Sequence, residues 1–221
     1  MRRHFILSQA TALWVGLCAP AAQAQTAKKK DAGPPRNAVI LVLGDSLSAE
    51  YGLPRGTGWV ALLEQRLAQE KTPATVVNAS ISGETTSGGR ARLAALLRQH
   101  QPTQVVIELG GNDALRGLPL PNTEENLRWM VRAAQEAGAQ VLLVGMQVPP
   151  NYGADYARQF AGVFDTVARA QKTALVPFFL KGVADGPDPT RLFQADRIHP
   201  RAEAHPQMLA NVWPELKKLL R

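Results

Sequence analysis

Ala38-Val39-Ile40-Leu41-Val42-Leu43 runs directly into Gly44-Asp45-Ser46-Leu47-Ser48. The first six residues are apolar without interruption and mostly branched, the pattern of a strand covered on both faces. Such strands belong to parallel sheets, where ligands collect at the carboxyl ends. The small polar run 44–48 falls at that end of this strand.

The same kind of run recurs at 75–79, 104–109, 140–144 and, more weakly, 174–178. Between the runs, apolar positions three and four apart predict helices over 59–69, 86–98, 123–137 and 155–171. A last helix is predicted over 204–220, where Pro206 and Pro214 blur the ends. Strand and helix in regular alternation require right-handed crossovers. The expected fold class is therefore α/β: a three-layer α/β/α sandwich with a five-stranded parallel sheet. No internal repeat and no second linker appears, so 38–221 reads as a single domain.

The 221 residues carry a net charge of +7 and are 45% apolar, too rich in core-forming material for a disordered or fibrous chain. The first 24 residues are set apart from the fold. Arg2 and Arg3 precede a mostly apolar, uncharged run over 5–18, and Ala22-Gln23-Ala24 supplies small residues where a signal peptidase reads. The run is shorter than the ~20 residues a spanning helix needs, and polar Ser8, Gln9 and Thr11 interrupt it, which argues against a stable membrane anchor. Leu17 argues against a lipid anchor on Cys18. The expectation is a cleaved signal peptide over 1–24 and a secreted, periplasmic bacterial protein. Residues 25–37, with Lys28-Lys29-Lys30 and Gly33-Pro34-Pro35, read as a polar linker. No basic helix interleaved with aromatics follows, so no nucleic-acid partner is expected. Cys18, the only cysteine, would leave with the signal, and with it any thiol nucleophile or thiolate metal site.

Three loops after strands stand out: 44–48; Asn78-Ala79-Ser80-Ile81-Ser82-Gly83-Glu84-Thr85; and Gly110-Gly111-Asn112-Asp113. Each alone is ordinary turn chemistry. Together they converge on one edge of the sheet. Ser46 is expected where a strand gives way to a helix, exposing its hydroxyl near backbone N–H groups. A serine needs a base, and the chain after residue 24 has three histidines. His100 reads as a surface residue at a helix C-terminus, and His205 as a helix-start residue with no evident acid partner. His199 lies in Asp196-Arg197-Ile198-His199-Pro200, where Asp196 can take the Nδ1 proton and leave Nε2 for Ser46.

These blocks resemble the GDSL or SGNH hydrolases, whose fold is flavodoxin-like. Gly44-Asp45-Ser46-Leu47 is similar to the family's serine block, Ser82-Gly83-Glu84-Thr85 to its glycine block, Gly110-Gly111-Asn112-Asp113 to its asparagine block, and residues 196–200 to its terminal block. All four stand in the family's order from about residue 38 onward. Residues 108–113 and 149–153 look most like the bacterial secreted thioesterase I, arylesterase and lysophospholipase branch. The resemblance implies Ser46 as nucleophile, His199 as base and then acid, and Asp196 as its orienting partner. It implies an oxyanion hole of the Ser46 and Gly83 N–H groups and the Asn112 amide. It further implies that Val148, Pro149 and Tyr152 shape acyl-chain selection, although these also read as a rigid turn with Tyr152 covering core.

The expected activity is hydrolysis of small carboxylic esters and thioesters, lysophospholipids among them, through an acyl-enzyme and without cofactor. Carbohydrate O-acetyl ester hydrolysis is the alternative on the same fold, and a catalytically silent lipid- or glycan-binding protein the alternative from another class. Arg197 departs from the family, which commonly has glycine there. The α/β-hydrolase elbow G-x-S-x-G is not met, because Ser48 stands two residues after Ser46. No metal site is expected from three histidines without H-x-x-x-H spacing, and Asp45 reads as a structural hydrogen-bonding residue.

Overall fold

The computed structural model describes Met1 and residues 37–221, apart from the side chain of Pro150. The signal-peptide reading of 1–24, with Cys18, and most of the 25–37 linker lie outside the described residues. Five parallel strands form one sheet in the order β2-β1-β3-β4-β5: β1 Ala38–Gly44, β2 Ala74–Asn78, β3 Gln104–Glu108, β4 Gln140–Val144 and β5 Ala174–Val176. Ile40 to Leu43 and Val105 to Ile107 are wholly buried, as their unbroken apolar runs require. Helices α1 (Trp59–Gln69) and α6 (His205–Leu219) pack together, and α2 (Thr86–His100), α4 (Leu120–Glu136) and α5 (Ala154–Gln171) pack together. The result is a helical layer on each side of the sheet, the expected α/β/α sandwich.

The strand order determines where a site forms. From β1 the chain crosses to β2 on one side and then to β3 on the other, so the crevice beyond the carboxyl ends of β1 and β3 is the topological switch point. Register places Gly44 opposite Glu108 and Val42 opposite Asn78, which brings the loops that follow level with one another.

Several element boundaries differ from the expectation. Helix α4 begins at Leu120, not residue 123, because Pro121 sits in its first turn, where a missing N–H costs nothing. Strand β5 stops at Val176, since Pro177 cannot donate to the ladder. Residues 110–113, expected as loop, lead into a short helix α3 (Gly111–Leu115) after Gly110 at φ 119°. The turn at Ser46 does not open a helix either. Ser48 and Ala49 donate to the Asp45 carbonyl and Tyr51 to that of Ser46, then Glu50 turns left-handed at φ 58°, and α1 starts only at Trp59.

Candidate active site

The turn after β1 places Ser46, nine-tenths buried, at the switch point. His199 comes from the other end of the chain, on a tight loop closed by a bridge between Phe193 and Pro200. Gln194 fastens that loop to the serine turn. Its backbone N–H donates to the His199 carbonyl at 2.8 Å, and its side-chain amide donates to the carbonyls of Tyr51 at 3.0 Å and Pro200 at 3.2 Å. Gly52, at φ 70°, makes room: a Cβ there would lie 2.2 Å from Gln194 Oε1.

The outcome is a linear chain of hydrogen bonds. Asp196 Oδ2 lies 2.7 Å from His199 Nδ1, and His199 Nε2 lies 2.8 Å from Ser46 Oγ. Asp196 Oδ1 accepts the N–H groups of Ile198 at 2.9 Å and His199 at 3.0 Å. Desolvation pushes the Asp196 carboxyl up, but those two backbone bonds and the bond and charge of the His199 ring outweigh it and hold the pKa at about 2. Asp196 is thus an acceptor only, so Nδ1 carries the proton and Nε2 is left to accept from the Ser46 hydroxyl. The Tyr51 ring covers one face of the imidazole, with centroids 4.3 Å apart.

Gly83 sits at φ 78°, a conformation that favours glycine, and its carbonyl accepts from the Arg116 guanidinium at 2.8 Å. Among the described residues the N–H groups of Ser46 and Gly83 donate to no protein acceptor. Asn112, half-buried in α3, donates one Nδ2 hydrogen to Asp45 Oδ2 at 2.9 Å. Ser46, Gly83 and Asn112 thus come from the loops after β1, β2 and β3, side by side in the sheet.

The three residues expected on a pocket wall divide. Val148 belongs to the buried core, whereas Pro149 and Tyr152 are exposed. A depression of about 260 Å³ beside α5, lined by Gln147, Phe164, Asp165, Leu175 and Pro177 among others, contains none of the three and no triad residue. His100 ends α2, as expected. His205 opens α6, as expected, but it is buried, and its Nδ1 accepts the Trp59 N–H at 3.0 Å.

A buried polar layer lies beneath the serine; the sequence pointed to Asp45 in it as a hydrogen-bonding residue, as its bonds from Leu47 and Asn112 bear out, but not to Glu108. Glu108, the last residue of β3, is 2% exposed and its Oε2 lies 2.7 Å from Ser48 Oγ, which also accepts Trp59 Nε1–H at 3.0 Å. Asp45, 3% exposed, takes the Leu47 N–H on Oδ1 at 3.0 Å. Burial pushes the Asp45 carboxyl up to about 6, against the bonds from Leu47 and Asn112. Burial, with the neighbouring Asp45 charge, also pushes the Glu108 carboxyl well up, against the bonds from Ser48 and the Asp45 N–H. A carboxylate closing an otherwise apolar strand, Gln104 to Glu108, was the available signal.

The sequence profile of the GDSL-like lipase/acylhydrolase family matches residues 42–206. Esterase TesA of Pseudomonas aeruginosa is 54% identical over 181 residues, spanning 82% of this chain and 89% of that protein. Thioesterase 1/protease 1/lysophospholipase L1 of Escherichia coli K12 is 44% identical over 167 residues, spanning 76% of this chain and 77% of the other. A crystal structure of TesA, 54% identical in sequence, matches with a TM-score of 0.79 over 82% of this chain and 99% of that one.

Proposed function

The chain belongs to the GDSL-like lipase/acylhydrolase family and is a hydrolase of the esterase and thioesterase kind, and on that premise we propose that Ser46, His199 and Asp196 carry out acyl transfer to water. In the first half-reaction His199 Nε2 takes the Ser46 proton as Oγ bonds to the carbonyl carbon. The tetrahedral adduct's oxygen is held by the N–H groups of Ser46 and Gly83 and by the Asn112 amide. His199 then returns the proton to the departing alcohol or thiol as its bond to carbon breaks, leaving an acyl-Ser46. Water repeats the sequence, with the serine as leaving group. Donors fixed before reaction stabilise the oxyanion without reorganising, and one such donor is worth roughly 10²–10³ in turnover. Asp196, ionised down to about pH 2, stabilises the imidazolium formed in between.

The observation that carries this reading is the continuous 2.7 Å and 2.8 Å path from Asp196 through His199 to Ser46. A fluorophosphonate probe should label the protein at Ser46, and Ser46→Ala should abolish both labelling and esterase turnover. A probe that labels the Ser46→Ala variant equally would remove the nucleophile from the argument.

The substrates are small-molecule esters; their acyl part we read as an apolar chain, from thioesters, aryl esters or lysophospholipids. Support comes from the surface. Tyr51, Ile81, Leu115, Tyr152 and Ile198, the large apolar residues exposed among residues 37–221, all lie in segments that follow strands or flank the triad. Burial of a methylene is worth ~0.8 kcal/mol at most, so turnover of p-nitrophenyl esters should rise by grades from acetyl to decanoyl. A flat series would remove the apolar acyl pocket from the reading, and release of acetate from acetylated sugars without activity on longer acyl esters would favour the carbohydrate deacetylase instead. The basic, apolar and small-residue regions of 1–24 support export to the periplasm. Among the described residues no helix is long and apolar enough to cross a membrane.

A further inference from the structure

A carboxamide is nearly symmetric in shape, and its oxygen and nitrogen exchange places by a half-turn about one bond. An oxyanion donor made from asparagine therefore needs something that tells its two ends apart. If the oxygen faced the adduct, it would repel the charge it is meant to stabilise.

We propose that Asp45 is the positioning residue for this donor: its Oδ2, 2.9 Å from Asn112 Nδ2, holds the NH₂ end in place and leaves the second Nδ2 hydrogen for the oxyanion at Ser46. The proposal rests on the oxyanion role assigned to Asn112 above. Asp45 suits the task because an ionised carboxylate accepts and cannot donate. Its own orientation is pinned, with Oδ1 occupied by the Leu47 N–H and the backbone carbonyl by the N–H groups of Ser48 and Ala49.

A second buried carboxyl, Glu108, lies in the same layer; its Oε2 accepts from Ser48 Oγ at 2.7 Å and from the Asp45 N–H at 3.4 Å, and the charges of the two carboxyls act on each other. Above about pH 6 Asp45 carries a charge. The groups that act on it are Glu108 from β3, Asp113 and Asn112 from α3, His199 from the terminal loop and the Leu47 N–H. Lowering the pH through about 6 protonates Asp45 and releases the lock.

The test is a double-mutant cycle on kcat and KM with p-nitrophenyl butyrate, using wild type, Asp45→Asn, Asn112→Ala and the double variant. Asparagine at 45 has one oxygen for two donors, so Asp45→Asn should lower kcat by roughly 10–100-fold, a part of a donor's worth, with KM changed less than about twofold. In the Asn112→Ala background the same change should have less than about a twofold effect, since the group it acts through is gone. A structural role would give losses that multiply. A second measurement needs no Asp45 variant. The kcat ratio of wild type to Asn112→Ala cancels the titration of His199 and should fall as pH drops through about 6. Losses that multiply in the cycle overturn the proposal. So does an Asn112→Ala variant with wild-type turnover. Should Asp45→Asn fail to fold, the ratio decides, and a ratio constant from pH 5 to 8 overturns it. Failure of the underlying site is distinguishable, because it alone would leave Ser46→Ala fully active, and it would take the proposal with it.

Discussion

Helix α1 starts with Gly58 at its N-cap, a residue with no side chain to offer, and its first N–H, that of Trp59, is answered by His205 Nδ1 from the start of α6. Only a neutral imidazole protonated on Nε2 can accept there; an imidazolium would set N–H against N–H. Desolvation lowers the His205 pKa from 6.5 to about 4, partly opposed by a hydrogen bond to the Pro200 backbone and the charge of Glu50. The unfolded chain takes up a proton near pH 6.5 that the folded protein refuses until about pH 4. The stabilisation is complete above 6.5 and is lost as pH falls toward 4. At about 1.4 kcal/mol per tenfold, the loss is about 3 kcal/mol. At pH 7, His205→Gln should unfold more easily by about 1–3 kcal/mol, the cost of a buried N–H without a well-placed acceptor. At pH 4 the gap should vanish or reverse, because the wild type alone carries the titration. Asp45 and Glu108 are present in both proteins, so their opposite pH dependence cancels in the difference. Urea unfolding followed by tryptophan fluorescence at pH 7, 6, 5 and 4 measures it. A gap independent of pH would show that His205 charges as easily folded as unfolded, and the burial argument would be refuted.

Further outcomes are expected elsewhere. Asp196→Asn should lower kcat by roughly 10³–10⁴-fold, because the imidazole loses its tautomer and its counter-charge; turnover within tenfold of wild type would leave His199 oriented by something else. Arg197 adopts φ 57°, which explains the glycine common at this position in the family and costs a non-glycine residue about 1–2 kcal/mol. Arg197→Gly should therefore hold or raise the melting temperature, net of glycine's extra unfolded-chain entropy, and a clear fall would mean that the arginine side chain makes a stabilising contact. At Gly44 a Cβ would lie 2.7 Å from Ser48 Oγ and 2.8 Å from Glu108 Oε2, prising apart the buried bond between them. Gly44→Ala should cost about 1–3 kcal/mol in chemical unfolding, whereas unchanged stability would show that this layer yields freely.

The sheet was legible because its signal is local. An unbroken run such as Val39 to Leu43 can satisfy its branched side chains only as a strand covered on both faces, and the alternation of such runs with helical periodicity dictates parallel crossovers. The triad candidates were legible for the same reason: Ser46, Asp196 and His199 each sit in a short block whose chemistry is visible without its surroundings. Other features had no local signature. Glu108 looks like the polar end of a strand until Gly44, Ser48 and Trp59 close around it. His205 looks like a helix-start residue until α1, 146 positions earlier in the chain, presents an unanswered N–H. Gln194, which ties the two halves of the site together, carries no mark of that task in its neighbours. Residue type and periodicity act over a few positions and are written in order along the chain. Which polar groups are dehydrated, how far the buried carboxyls shift in pKa, and the 2.8 Å between atoms 153 positions apart depend on burial that exists only once both helical layers have closed on the sheet.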